Sequence, residues 1–307
     1  MLRRAVTAAI VSGYAIALNP LTGVFSVATA QTAQEVSWCQ GTAGTSAEQR
    51  ISGCTAIIES GRFGGKILGA AFRARGYAHL YAKSEPDWDS GIRDFSQAIE
   101  LNPEDASSFY GRADALKVLA SRSSGSERKK LATSAASDFT QAIRLRTAAK
   151  PLDFINRSNA YSLFEDYESA LSDLNEALRL DPSDKKEALV NRCRLYGRLG
   201  RWPEALVDCN QSLILKNQDE QEADRNSDTL IARGYVYLRM GNYKDAVADY
   251  DAALLDPHTN EHRRAEALFG RGFALNKLGV DQGKEDVASA IQSRPEIASY
   301  FSERGVQ

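Results

Sequence analysis

The sequence predicts an all-α chain, an α-solenoid of about six helix-turn-helix units behind an N-terminal capping helix, and three observations predict it. A 34-residue pattern running from Pro151 to Asp184 recurs from Lys186 to Asp219 after the single residue Lys185. Numbered 1 to 34, with insertions allowed between the two helices, six units align, beginning near Gly69, Ala106, Pro151, Lys186, Ser227 and Ala265. The second helices stop at Asn102-Pro103, Asp181-Pro182 and Asp256-Pro257, because the residue before a proline is pushed out of the helical region. Such a period is that of stacked helix pairs, in which each unit buries its apolar face against the next.

Composition agrees. The 307 residues are 43% hydrophobic and 25% charged, which excludes a collagen-like, wholly disordered or polytopic membrane protein. With 38 Lys plus Arg against 40 Asp plus Glu, a nucleic-acid binder relying on bulk positive charge is excluded too.

Residues 1–30 are read as a secretory signal peptide. Arg3 and Arg4 precede an apolar stretch from Ala5 to Leu18, then Asn19-Pro20, and Ala28-Thr29-Ala30 has the small-x-small pattern of a cleavage site. Cleavage removes two positive charges, leaving 36 basic against 40 acidic residues, a net −4, and no integral membrane association. The alternative is an inner-membrane anchor through residues 5–29, since apolar character continues past Pro20.

Residues 31–68 form the cap, with one helix over Ala47–Ser60 covering the first apolar face. The stretch Gly61 to Lys66 reads as a turn. The six units then occupy about 69–105, 106–149, 151–184, 186–219, 227–258 and 265–295. Position 8 is small in each (Gly76, Ala113, Ser158, Cys193, Gly234, Gly272), and so is position 20 (Gly91, Ala135, Ala170, Ala205, Ala246, Gly283). Antiparallel helices approach closely only at small side chains, so these two columns mark the crossing inside each pair. Position 24 supplies larger neighbours, Phe95, Phe139, Leu174, Cys209, Tyr250 and Val287. Ser121 to Lys130 belongs to an insertion between the helices of the second unit, read as a loop or a helix extension, with a smaller one at Ser84 to Pro86. Glu220 to Asn226 is a candidate hinge. Residues 296–307 form a closing segment, with a short helix over Pro295 to Phe301.

The stretch from Arg157 to Asp184, RSNAYSLFEDYESALSDLNEALRLDPSD, closely resembles the tetratricopeptide repeat pattern, and the resemblance extends from about Gly69 to the C-terminus. It implies a right-handed superhelix whose first helices line a concave groove that binds peptides or proteins. Together with the leader, it implies an exported bacterial protein, periplasmic in a Gram-negative envelope. The Lys and Asn columns of the carboxylate clamp that binds chaperone tails are not reproduced.

Two columns are invariant. Position 7 is Arg75, Arg112, Arg157, Arg192, Arg233 and Arg271, and position 23 is Asp94, Asp138, Asp173, Asp208, Asp249 and Asp286. Equal numbers of opposite charges facing one another read as a structural ladder, within or between neighbouring pairs, rather than as arginines reading an anionic ligand. The four cysteines of an exported chain read as two disulfides. Three connectivities are open. Cys193 and Cys209 hold positions 8 and 24 of one pair, and Cys39 with Cys54 would tie the leader of the cap to its helix. Each such loop of roughly fifteen residues is worth about 3 kcal/mol in the chain-entropy model.

The residues suggest no catalysis, metal or cofactor. The zinc-ligand spacing C-x-x-C is absent, and HTNEH, with His258 and His262, lacks the order of a metalloprotease. No nucleophile elbow, phosphate loop or dinucleotide fingerprint occurs. The groove positions of the resembled family fall here on Arg73, Tyr77, Tyr81, Tyr110, Asp114, Lys117, Asn159, Arg194, Arg198, Tyr235, Arg239, Phe269, Phe273, Asn276 and Lys277. Tyr and Arg are favoured at binding hot spots, and basic residues outnumber acidic ones on this face. The expected function is a non-catalytic scaffold for a protein or extended peptide with acidic or carboxylate groups. The alternative is an accessory subunit of a cell-envelope enzyme complex, docking through its convex face and the 121–130 loop.

Overall fold

The computed structural model describes residues 33–82, 86–180, 185–215, 226–257 and 259–306. The signal peptide, Asp181-Pro182, His258 and the candidate hinge apart from Asn226 lie outside the described residues. Among the described residues there are helices and turns and no strand. A short helical segment over 33–40 is followed by α1(Ala47–Glu59), α2(Gly65–Leu80), α3(Trp88–Leu101), α4(Ala106–Arg122), α5(Gly125–Leu145), α6(Pro151–Leu163) and α7(Tyr167–Leu180). Then come α8(Lys185–Arg198), α9(Trp202–Ile214), α10(Ser227–Met240), α11(Tyr243–Leu255), α12(Glu261–Lys277), α13(Gln282–Ser293) and α14(Ile297–Ser302).

Local chemistry starts and stops these helices. Ser46 and Gln49 form a reciprocal capping box at α1, while Asp87, Asp105 and Asn260 accept first-turn amides of α3, α4 and α12. In the last four pairs, position 15 takes the left-handed conformation: Gly200, Gly241 and Gly279 have φ of 73°, 78° and 77°. Glu165 holds the same position in the third unit at φ 67° without the freedom of glycine.

Pairs α2/α3, α4/α5, α6/α7, α8/α9, α10/α11 and α12/α13 pack internally, and each second helix also packs on the first helix of the next pair. Adjacent first helices touch one another, whereas among the described residues no two second helices do. The first helices therefore run along the inner, tighter radius of the stack, and this curvature makes their free side the concave face.

The small columns do what close approach demands. A Cβ on Gly283 would lie 2.5 Å from the Gly272 carbonyl oxygen, and one on Gly272 would lie 2.7 Å from that of Gly283, so α12 and α13 cross backbone to backbone. The buried Phe95 ring lies against Gly76 of its own pair and Gly111 of the next, and Tyr250 repeats this between Gly234 and Gly270. The fourth pair replaces ring and glycine with a disulfide, Cys193–Cys209, at a Cα separation of 5.5 Å. The second disulfide, Cys39–Cys54, joins the 33–40 segment to α1.

Two boundaries differ from expectation, and a third resolves an alternative. The cap holds two helical segments rather than one, because the disulfide anchors the first against α1. The first repeat begins at Gly65, inside the expected turn. Of the loop or helix extension expected over 121–130, the structure has the helix extension. Only Ser123 and Ser124 leave the helix, and the inserted residues lengthen α4 and α5, Arg128 donating to the Ser123 carbonyl across the joint.

Candidate functional site

Beneath the concave face lies a ladder that fixes its geometry. In every repeat the guanidinium at position 7 grips both oxygens of the aspartate at position 23, with N–O distances of 2.7–2.9 Å, as in Arg75–Asp94, Arg157–Asp173 and Arg233–Asp249. Arg112–Asp138, Arg192–Asp208 and Arg271–Asp286 are identical in form. The remaining terminal nitrogen reaches position 25 of the preceding unit: Thr55, Ser96, Thr140, Asn175, Asn210 and Asp251 accept in turn at 2.6–3.1 Å. Each arginine thus closes its own pair and fastens it to the one before. The polar column at position 25 was readable in the sequence at the same period, yet was not singled out. These aspartates are buried, and their bonds hold the Arg75, Arg112, Arg157, Arg192, Arg233 and Arg271 guanidiniums above their usual range against the opposing effect of burial.

Above the ladder, many groove residues join one first helix to the next. Arg73 pairs with Asp105 at 2.7 Å, and the Tyr77 hydroxyl donates to the Ser107 carbonyl at 2.8 Å. Tyr110 accepts from Asn156, and Lys117 donates to Asn156 while pairing with Asp114. Arg194 donates to Asp228. In the N-terminal half the face stays open. Tyr77 and Tyr81 stack with ring centroids 6.2 Å apart, and Tyr81 is 63% exposed. Burial pushes the Tyr77 and Tyr110 phenols up, Tyr110 to about 12, so both remain hydrogen-bond donors.

The C-terminal half is not open, which corrects the expected availability of Tyr235, Arg239 and Phe269. Helix α14 and the residues after it fold onto the concave face. The Arg304 carbonyl accepts from the Tyr235 hydroxyl at 2.7 Å and from Arg239, and the Phe301 ring packs on Phe269 at 4.7 Å. Ile297, Phe301 and Val306 are buried there, and Glu303 reaches Arg128 at 3.5 Å. Phe273 lies partly buried under the Lys277 ammonium, and Asn276 is exposed near the last turn.

Under this segment is a buried ionic cluster that sequence reasoning missed. Glu266, 3% exposed, pairs with Arg263 at 2.7 Å, and Arg263 and Arg194 share Asp228. Burial pushes the Glu266 carboxyl up, but Arg263 and then Arg194 outweigh it and hold it at about 2. A cavity of about 360 Å³ adjoins this cluster, with Lys117, Asn159, Arg194, Arg198, Tyr250 and Arg304 among its walls. Among the described residues no group of His, Cys, Asp or Glu could hold a metal ion, and no helix is long and apolar enough to cross a membrane.

Residues 154–184 and 231–296 each match a family model described as tetratricopeptide repeat. The fold is similar to that in the crystal structure of the APC/C hetero-tetramer Cut9-Hcn1, with a TM-score of 0.59 at 14% identity over 91% of this chain and 52% of that one. The chain thus spans about half the length of that relative. Weaker likenesses are to YrrB, a TPR protein with an unusual peptide-binding site (TM-score 0.40, 18% identity, 68% of this chain and 97% of that one), and to MamA (0.33, 14%, 76% and 98%). None of the curated proteins matches the chain.

Proposed function

The chain belongs to the tetratricopeptide repeat family, and from that premise we propose that it is a non-catalytic scaffold holding a protein or extended peptide in its concave groove. One observation carries this reading. The chain's own C-terminal segment lies in that groove as a peptide would, giving a main-chain carbonyl to Tyr235 and Arg239 and an aromatic side chain to Phe269. The open half, around Tyr77, Tyr81 and Tyr110, offers the same chemistry with no such occupant among the described residues, and its tyrosines bury much area with few rotors. The test selects binders from a random peptide library on the full chain. Tyr77→Ala with Tyr81→Ala is expected to weaken selected peptides tenfold or more, roughly the loss of one hot spot, while Glu127→Ala on α5 leaves them unchanged. The reverse pattern would transfer binding to the convex face and the α4–α5 joint.

The proposed compartment is the periplasm. Both cysteine pairs are joined, and disulfides persist in oxidising compartments. Intact mass after alkylation without reductant is expected to show a chain beginning at Gln31 with no modified thiol. A retained leader with four alkylated cysteines would overturn export.

A further inference from the structure

The cavity beneath α14 combines features that the ladder and the open groove do not need. Its cations are Lys117, Arg194, Arg198, Arg263 and Arg304, and its one carboxylate is Glu266. Most of these charges are matched: Lys117 by Asp114, Arg263 by Asp228 and Glu266, Arg194 by Asp228. Arg198 and Arg304 are not. Among the described residues neither has a carboxylate within salt-bridge distance, and both face the same space. Burial brings the Arg304 guanidinium down to about 10, with the Arg198 charge pushing the same way. The Tyr250 hydroxyl at the cavity wall is fully buried and has no hydrogen-bond partner. Burial holds that phenol protonated, so it presents a donor. The wall also carries an apolar part, Val118, Leu163, Leu174, Leu195, Ile231 and Phe301, beside neutral polar side chains such as Ser158, Asn159 and Asn191.

Arg304 donates to the Tyr300 carbonyl at 2.8 Å, stacks on the Tyr300 ring and feels the Glu266 charge. Yet among the described residues neither it nor Arg198 has a carboxylate of its own, and an unpartnered buried donor beside them is costly unless an acceptor meets it. Guanidinium forks match a carboxylate in two parallel hydrogen bonds. The volume equals that of roughly a dozen liquid waters at ~30 Å³ each, and it lies within the range of small-molecule sites. We propose that this cavity binds a small organic carboxylate with a compact apolar body, its head between Arg198, Arg304 and Tyr250 and its body against the leucines and Phe301. The site goes beyond the scaffold reading, because its occupant is small and its walls include none of Tyr77, Tyr81 and Tyr110. It makes the segment that closes the C-terminal half of the groove one wall of a ligand site, so a bound acid would hold that segment down.

Isothermal titration of the full chain with octanoate and with octanamide tests this. Octanoate is expected to bind about tenfold or more tightly than the neutral amide, as the loss of a charge-assisted hydrogen bond implies. Arg198→Met should weaken octanoate to a similar extent while leaving the melting temperature of the free protein unchanged or raised, since that side chain has no carboxylate to lose. Tyr250→Phe should weaken octanoate without unfolding the repeat. Acetyl-glycyl-leucine with a free carboxylate distinguishes the source: tighter binding than octanoate assigns the cavity to a peptide terminus, and weaker binding to a free acid. Equal binding of acid and amide, binding of neither, inorganic phosphate matching octanoate, or full octanoate affinity in Arg198→Met would each overturn the proposal. Failure here leaves the peptide groove standing, because that test reads residues outside this cavity.

Discussion

Arg157→Met is expected to destabilise the middle of the stack by about 3–5 kcal/mol, the usual loss when one partner of a buried ion pair is removed. Asp173 has a side chain only 7% exposed and receives two hydrogen bonds from Arg157, at 2.8 and 2.7 Å. Without the guanidinium it is a buried carboxylate with its main donors gone, and the link to Thr140 in the preceding repeat is lost as well. Because each repeat touches only its neighbours, the damage should be local. Hydrogen exchange should rise in α6, α7 and the flanking α5 and α8 before it rises at the ends of the chain. The double variant Arg157→Met with Asp173→Leu is expected to recover most of the loss, since apolar replacement of a whole buried pair is often neutral. Peptide binding at Tyr77 and Tyr81 should not change. A single variant within about 0.5 kcal/mol of the parent, the ordinary range for surface positions, would mean that the ladder is not structural.

Acid should weaken the C-terminal half through Glu266. Its folded carboxyl lies at about 2, below the ~4.3 of an unfolded glutamate. A depressed folded pKa contributes stability that is fully present above the unfolded value and is lost as pH falls through the folded one. The difference amounts to roughly 3 kcal/mol at neutral pH, lost between about pH 4 and pH 2. Other carboxylates titrate in the same range, so the measurement is the gap in melting temperature between the parent and Glu266→Gln as a function of pH. The gap should be largest near pH 7 and close towards pH 2. A gap that stays constant over that range would show that the charge of Glu266 does not hold Arg263 and Arg194 together.

What the sequence determined by itself is whatever repeats. A contact between positions 7 and 23 is made in every repeat at the same offset within a unit, so Arg75 through Arg271 and Asp94 through Asp286 stand out as columns, and the pairing follows from charge. The crossing glycines and the Cys193–Cys209 bridge were legible for the same reason, since positions 8, 20 and 24 meet inside each pair. Position 25 was equally periodic. Its significance is clear only once the guanidinium is seen to have a nitrogen left over after gripping its aspartate.

Tertiary structure alone decided what happens once. Tyr235 meets Arg304 across 69 residues, and Arg128 meets Glu303 across 175. These contacts depend on the rotation accumulated over the repeats between them, and no column encodes that rotation because every unit adds to it. The sequence therefore placed Tyr235, Arg239 and Phe269 on the concave face, but it could not tell that the chain's own end covers them. Nor could it gather Glu266, Arg263 and Arg194 into one buried cluster, or set Arg198 and Arg304 around one cavity. Those charges come from α8, α12 and the residues after α14, and only the curvature of the stack brings the three together.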